Sequence, residues 1–165
     1  MTITIGARTA VIVPDAVPPS PPAAHYTRYA LLDRGSYDHA PFDDPELLTR
    51  LTTIARHAAG RPALTITDVR LVRLLRGDYL LAHHDSIHDD LPIEVIADLS
   101  PASVPGAEVH YRRRGQVFFR VPSTPGAVSI VERGPTVTCN HTYVSKLHPP
   151  GTEVVRLIAL LREPA

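Results

Sequence analysis

Cysteine is nearly absent from this sequence, since Cys139 is the only one in 165 residues. A single thiol excludes an internal disulfide and a zinc site built from cysteines, and it is typical of a protein from a reducing compartment. Long apolar runs are also absent, because no stretch approaches the roughly 20 residues that span a bilayer. The first residues lack the basic and apolar regions of a signal peptide. We therefore expect a cytoplasmic protein without a membrane partner.

An excess of charge of either sign is missing as well. Lysine plus arginine and aspartate plus glutamate both number 17, so the formal net charge is zero at pH 7. This balance provides no electrostatic surface for nucleic acid, and small molecules are the expected partners. The length predicts a single domain over 1–165.

Proline and helix-capping signals divide the first part of the chain. Residues 1–24 predict an N-terminal strand and a proline-rich connector, because proline donates no backbone hydrogen bond. Residues 43–60 predict a supporting helix with an acidic cap at Asp43 and Asp44, one apolar face and Gly60 at its end.

The segment 64–162 changes to a pattern of short strands separated by glycine and proline turns. The candidate strands are 64–75, 79–84, 92–99, 107–112, 116–121, 127–132, 136–145 and 153–162. One or two supporting helices followed by such a series predict a mainly β fold of the jelly-roll type, a double-stranded β-helix.

Potential metal ligands stand at the end of one predicted strand and inside another. Residues i and i+2 of a strand point to the same face, so the side chains of His83 and Asp85 can reach one point in space. His141 lies in the alternating segment 136–145, which would carry it to the inner face. Two imidazoles and one carboxylate form the facial triad of non-haem Fe(II) enzymes, which leaves metal positions open for substrate chemistry.

Neighbouring side chains offer the same ligand chemistry. His88, Asp89 and Asp90 form an alternative cluster shortly after the first pair. His148 is a second candidate for the distal histidine, although it adjoins two prolines and is typical of a turn. The choice of ligands remains open from the residues alone.

Arg156 is the only charge between Val154 and Leu161, in a predicted strand that otherwise has the composition of a core. A guanidinium keeps its charge, and burying it unpaired costs several kcal/mol, so it must meet an anion. That anion is either a carboxylate of the protein or a ligand carboxylate held through two parallel hydrogen bonds.

In the order of these motifs, the segment 64–162 resembles the catalytic core of the iron(II)/2-oxoglutarate-dependent dioxygenases, particularly the prolyl-4-hydroxylase-like group. The matching elements are a glycine, a His-x-Asp pair, an apolar strand, a Gly-Gly-Glu-like turn, a Pro-x-x-Gly turn, a distal histidine and a basic residue. Here they are Gly77, His83 with Asp85, 93–99, 106–108, 122–126, His141 and Arg156.

Two features depart from the family's pattern. The gap between the distal histidine and Arg156 is longer than usual, and the family's tyrosine before the glycine is replaced by Leu74 or Leu75. Tyr79 and Tyr143 are the candidates to replace that tyrosine in binding the cosubstrate.

The resemblance implies that His83, Asp85 and His141 bind Fe(II) and that Arg156 binds the distal carboxylate of 2-oxoglutarate. It implies an oxidoreductase that consumes O₂ and 2-oxoglutarate while it hydroxylates, desaturates or cyclises a small molecule, such as an amino acid or a natural-product intermediate. The chain is short for the family. We therefore expect an open entrance to the active site. Such an entrance would accept a carrier-tethered substrate, or the second subunit of a homodimer would close it.

Two other functions compete with this one. A cupin-like metal enzyme would bind the metal without 2-oxoglutarate and would use Arg156 in a structural ion pair. A non-enzymatic β-sandwich would use the proline segment to bind a partner. Neither explains both the ordered triad and a lone arginine in an apolar strand.

Overall fold

The computed structural model of the protein describes residues 2–5, 8–81, 91–134 and 136–164. Within these residues, it contains twelve β-strands and one α-helix. The strands are β1 Thr2–Ile5, β2 Arg8–Val13, β3 Thr27–Leu31, β4 Gly35–Ala40, β5 Thr65–Leu75, β6 Tyr79–Leu80, β7 Ile93–Asp98, β8 Val109–Arg113, β9 Gln116–Val121, β10 Val128–Glu132, β11 Val137–His141 and β12 Glu153–Arg162. The helix α1 is Pro45–Ala59. No helix in the described part of the chain is long and apolar enough to cross a membrane.

The strands pair in one antiparallel sheet with the order β1-β2-β10-β7-β12-β5-β4-β6-β11-β8-β9, and β3 pairs with β4 beside this path. Side chains from both ends of this order meet in one buried cluster, which includes Ala10 of β2 and Phe119 of β9. The sheet therefore folds back on itself around an interior. The predicted mainly β jelly roll is confirmed.

Two buried clusters lie on opposite faces of the central strands. Along β12, Val154 and Ile158 face the interior, whereas Val155 and Leu157 face outward. The outer cluster includes Leu51 of α1, so the helix covers the back of the sheet. Because side chains alternate along a strand, the same register directs the arginine between the two outward residues into the interior.

The helix lies where the sequence predicts it, within 43–60. The carboxylate of Asp44 accepts hydrogen bonds from the backbone of the first turn, and Gly60 ends the helix with a φ of 64°. These local signals determine both helix ends, because they satisfy backbone groups that have no partner inside the helix.

The strand predictions differ from the structure in three places. Two N-terminal strands form, β1 and β2, where one was expected. The hairpin of β3 and β4 was not predicted, since β3 is largely exposed and shows no apolar alternation. Strand β11 ends at His141, earlier than the predicted 136–145. The part of the predicted strand 79–84 after Leu81 lies outside the described residues.

Asp78 anchors the turn that leads into β6. Its buried carboxylate accepts hydrogen bonds from Nη1 of Arg28 at 2.8 Å, from Oγ of Ser36 at 3.0 Å and from the backbone N–H of Leu75 at 2.8 Å. One side chain thereby connects the β3–β4 hairpin to the end of β5 and to the short strand that follows.

Replacing Asp78 with alanine is expected to lower the free energy of unfolding by about 3 kcal/mol, because a guanidinium, a hydroxyl and a backbone N–H lose their common acceptor. Urea denaturation measures the change. Asp68→Ala is the matched control, since Asp68 is an exposed carboxylate of β5 without a hydrogen bond or ion pair in the described part of the chain. Its expected effect is within about 0.5 kcal/mol. Equal effects of the two substitutions would show that the Asp78 network does not stabilise the fold.

Candidate functional site

A cavity of about 140 Å³ opens into the interior of the folded sheet. Charged and aromatic side chains share its wall with aliphatic ones. The lining includes Tyr29, Tyr37, Arg34, Arg70, Glu94, His141, Leu80, Leu81 and Ile158. Leu81 immediately precedes the segment 82–90, which carries His83 and Asp85 and lies outside the described residues. In the sequence, the predicted His-x-Asp pair therefore follows closely after a residue of the cavity wall.

His141 lies at the end of β11 between two neighbouring strands, opposite Leu80 of β6 and Val109 of β8. Its side chain is buried, with 3% of the residue exposed. Burial lowers the pKa of the imidazole well below its ordinary value of 6.5, and the positive charges of Arg156 and Arg70 lower it further. The ring is therefore neutral at pH 7, which is the form that binds a metal.

Arg156 contacts this histidine instead of a carboxylate. It is 2% exposed, and its Nη1 donates to Nδ1 of His141 at 3.0 Å while its Nη2 donates to the carbonyl oxygen of Ala107 at 3.0 Å. No carboxylate of the described residues forms an ion pair with it. The structure thus brings together the predicted distal ligand and the predicted cosubstrate arginine.

Asp98 is the cross-strand partner of Arg156 on β7, yet the two side chains do not form a salt bridge. The carboxylate of Asp98 accepts backbone hydrogen bonds from Ser100 and Thr124, each at 3.0 Å. Burial lowers the pKa of Arg156, and the negative charge of Asp98 opposes that change. A buried guanidinium without a contacting carboxylate favours a ligand anion.

The contact with Arg156 also decides which nitrogen of His141 carries the proton. A guanidinium can only donate, so Nδ1 accepts and the neutral ring holds its proton on Nε2. A ring that binds a metal through Nε2 carries the proton on Nδ1 instead. Metal binding through Nε2 and this hydrogen bond therefore exclude one another, and Arg156 must find another acceptor when a metal binds.

The remaining charges leave the described part of the cavity wall positive. The buried carboxylate of Glu94 accepts a hydrogen bond from the Tyr111 hydroxyl at 2.7 Å and forms a salt bridge with Nη1 of Arg133 at 3.2 Å. Arg34 and Arg70 line the cavity without a side-chain hydrogen bond or ion pair among the described residues.

The two tyrosines proposed from the sequence lie away from the cavity. The hydroxyl of Tyr79 donates to the carbonyl oxygen of Leu32 at 2.7 Å, and Tyr143 is 52% exposed. Tyr29 and Tyr37 line the cavity instead. Sequence analysis did not identify them because they belong to the hairpin that it did not predict.

The alternative metal ligands divide between two regions. His88, Asp89 and Asp90 lie in the segment outside the described residues. His148 lies in a turn, where its backbone N–H donates to the carbonyl of Ser145 at 3.3 Å, and it does not line the cavity. No group of three metal-ligating side chains is present in the described part of the chain.

Two charged residues of the interior were not singled out from the sequence. Arg70 shares the inward register of β5 with Val72 and Leu74, and Glu94 lies within a strand whose residues are all buried. A lone charge at an inward position is the signal that identified Arg156. That signal does not single out Arg70 or Glu94, because β5 also carries Asp68 and Arg73, and β7 also carries Asp98.

His141 should make stability depend on pH. The unfolded chain takes up a proton at this histidine as the pH falls through about 6.5, whereas the folded protein does not, since burial lowers the pKa of His141. The free energy of unfolding is therefore expected to fall by roughly 1 kcal/mol per pH unit below that value, with no contribution above it. His141→Asn, whose amide oxygen still accepts from Arg156, should lose that component. Urea denaturation of both proteins at about pH 7.5 and about pH 5.5 measures the difference, and identical pH dependence would contradict a neutral His141.

No family profile matches the chain, and no curated protein matches it in sequence. Solved structures do match its fold. An oxidoreductase of the 2OG-Fe(II) oxygenase family from Burkholderia pseudomallei is 14% identical with a TM-score of 0.62, and the match covers 84% of this chain and 73% of that chain. A prolyl-4-hydroxylase from Pseudomonas putida is 13% identical with a TM-score of 0.62, over 84% of this chain and 77% of that chain.

A third match is the non-haem α-ketoglutarate-dependent epimerase of nogalamycin biosynthesis. It is 14% identical with a TM-score of 0.57, and the match covers 84% of this chain and 66% of that chain. The chain therefore has the fold of the 2-oxoglutarate- and Fe(II)-dependent oxygenases, and the resemblance that its motifs predict is confirmed at the level of the fold.

Proposed function

We propose that the protein is a non-haem Fe(II)- and 2-oxoglutarate-dependent oxygenase that oxidises a small molecule. The observation that carries the proposal is Arg156, a buried guanidinium beside the neutral ring of His141 that no carboxylate of the described residues contacts. 2-Oxoglutarate is a dicarboxylate, and this guanidinium would hold the carboxylate that lies farther from the metal. The fold and the cavity support the same assignment.

His83, Asp85 and His141 would hold the metal. Two observations support this assignment. His141 contributes a buried, neutral imidazole to the cavity wall. Leu81 also lines the cavity, and His83 and Asp85 follow it closely in the sequence. Two imidazoles and a carboxylate suit Fe(II) and leave three positions for other ligands. Bound Fe(II) supplies O₂ activation, coupled to oxidative decarboxylation of 2-oxoglutarate to succinate and CO₂ and to oxidation of a substrate C–H bond.

Arg156 would change partner when the cosubstrate binds. Without the cosubstrate, an N–H of Arg156 donates to Nδ1 of His141. When 2-oxoglutarate is bound, one of its carboxylates would accept this hydrogen bond instead. Nδ1 is then free to carry the proton, and Nε2 is free to face the metal. The same side chain therefore orients the cosubstrate and sets the ring for coordination, while the surrounding apolar interior excludes water.

The competing functions are less well supported by the contacts of Arg156. A cupin-like enzyme without 2-oxoglutarate predicts a structural ion pair at this arginine, and no described carboxylate contacts it. A non-enzymatic binding module would leave the buried guanidinium of Arg156 without an anion.

We further propose a cytoplasmic location and a substrate that is either free or carrier-tethered at the open entrance of the cavity.

Anaerobic addition of Fe(II) and then 2-oxoglutarate to the metal-free protein should produce the weak visible metal-to-ligand charge-transfer band. In Arg156→Leu the band should require at least tenfold more 2-oxoglutarate, about 1.4 kcal/mol for the lost charged pair, with iron binding retained. Arg50→Gln, at an exposed position of α1, is the charge-matched control and should bind as the wild type. Iron binding without a band would favour the cupin-like function. An unchanged requirement in Arg156→Leu would make the arginine structural.

His83→Ala and Asp85→Ala are each expected to abolish stoichiometric iron binding while circular dichroism shows the fold retained, because each removes one of three ligands. His57→Ala, at an exposed position of α1, is the control. Unchanged iron stoichiometry in both ligand variants would move the site to the His88, Asp89 and Asp90 cluster.

A further inference from the structure

Two arginines line the cavity without a neutralising carboxylate in the part of the chain that the structure describes. Arg34 lies in the turn between β3 and β4, and Arg70 lies on β5. Nε of Arg34 is buried and has no hydrogen-bond partner, and neither side chain has an ion pair among the described residues. A buried donor without an acceptor is unfavourable, and a ligand that supplies the acceptor removes that cost.

The register of the sheet separates these arginines from Arg156. On β5 and β12, Arg70 is opposite Ile158, and Val72 is opposite Arg156. Successive inward residues of a strand are about 7 Å apart. Arg70 is exposed and lines the cavity, whereas Arg156 is buried one inward position deeper. The guanidinium groups of Arg70 and Arg156 therefore lie at two different depths in the interior.

No other charge among the described residues of the cavity wall cancels Arg34 and Arg70. The carboxylate of Glu94 is already paired with Arg133, and His141 is neutral. The described part of the cavity wall therefore carries a positive charge near its opening, which attracts an anion.

The aromatic part of the cavity wall indicates where the uncharged part of an anionic ligand would lie. The rings of Tyr29 and Tyr37 have centroids 5.1 Å apart with an interplanar angle of 36°, and both line the cavity. They offer an apolar surface beside the two guanidinium groups. The volume of about 140 Å³ restricts the ligand to a small molecule.

We propose that the oxidised substrate is a small carboxylate. Its anion binds Arg34 and Arg70 at the mouth, and its apolar body lies against Tyr29 and Tyr37. This inference rests on the proposed oxygenase function and adds the chemical class of the substrate. The deeper guanidinium of Arg156 is left for the cosubstrate, so that two carboxylates occupy the interior at different depths.

The test compares benzoate with benzamide, which has nearly the same shape and no charge. Each is titrated by calorimetry into the anaerobic protein saturated with Fe(II) and 2-oxoglutarate, so that Arg156 is already engaged. Benzoate should bind at least tenfold more tightly than benzamide. Arg34→Gln and Arg70→Gln should each weaken benzoate binding at least fivefold and leave benzamide binding unchanged, whereas Arg50→Gln should change neither.

A second readout separates substrate binding from cosubstrate binding. The 2-oxoglutarate concentration needed for the charge-transfer band should change less than twofold in Arg34→Gln and Arg70→Gln. A tenfold increase in that requirement would assign these arginines to the cosubstrate and overturn the inference. Equal binding of benzoate and benzamide, or binding of neither, would also overturn it.

The same titration without Fe(II) and 2-oxoglutarate distinguishes this inference from the proposed function. Arg34 and Arg70 belong to the described fold and need no metal, so the preference for benzoate should persist at least fivefold. A persistent preference in a protein that forms no charge-transfer band would refute the oxygenase and leave a carboxylate-binding cavity. A normal band with no preference would refute the substrate class alone.

Discussion

The buried charge of Arg156 is the constraint on which the interior depends. A guanidinium does not give up its proton in a protein, so the surrounding strands must supply acceptors at the place where β12 brings it. Those acceptors are Nδ1 of His141 and the carbonyl oxygen of Ala107. His141 ends β11 and Ala107 lies shortly before β8, so the charge connects β12 to the neighbourhood of the paired strands β8 and β11. No carboxylate of the described residues contacts Arg156, which agrees with the proposal that its anion is a ligand.

The outward faces of the same strands make that arrangement possible. Val155, Leu157 and Leu161 of β12 are fully buried in the cluster that α1 covers. A slip of one residue would exchange these side chains with the charged inward ones, and a buried apolar face strongly opposes such a slip. The apolar back of the sheet therefore determines the positions of Arg70, Glu94 and Arg156 relative to one another. Packing at some distance from the cavity sets the geometry of its charges.

Much of this fold could be predicted from local signals in the sequence. The bounds of β9 and β12 agree with the predicted segments, because alternation and turn residues mark them, and α1 has a cap at each end. The hairpin of β3 and β4 has no such marks, since β3 is largely exposed and shows no apolar alternation, and its two cavity-lining tyrosines were missed with it. The sequence placed His141 and Arg156 on the inner face, but their contact depends on pairing between distant strands, which no local pattern encodes. The assignment of His83 and Asp85 as ligands stays a prediction.

The position of β12 has a consequence for how the protein is made. It is the most C-terminal of the twelve strands, yet it lies between β5 and β7 and joins the two parts of the sheet. During synthesis, both neighbouring strands leave the ribosome before it and present unpaired edges that could pair with other chains. Assembly of the sheet therefore waits for the 153–162 segment, and the interior with its buried arginine forms only in that last step. The buried arginine that contacts His141 arrives with the strand that completes the sheet.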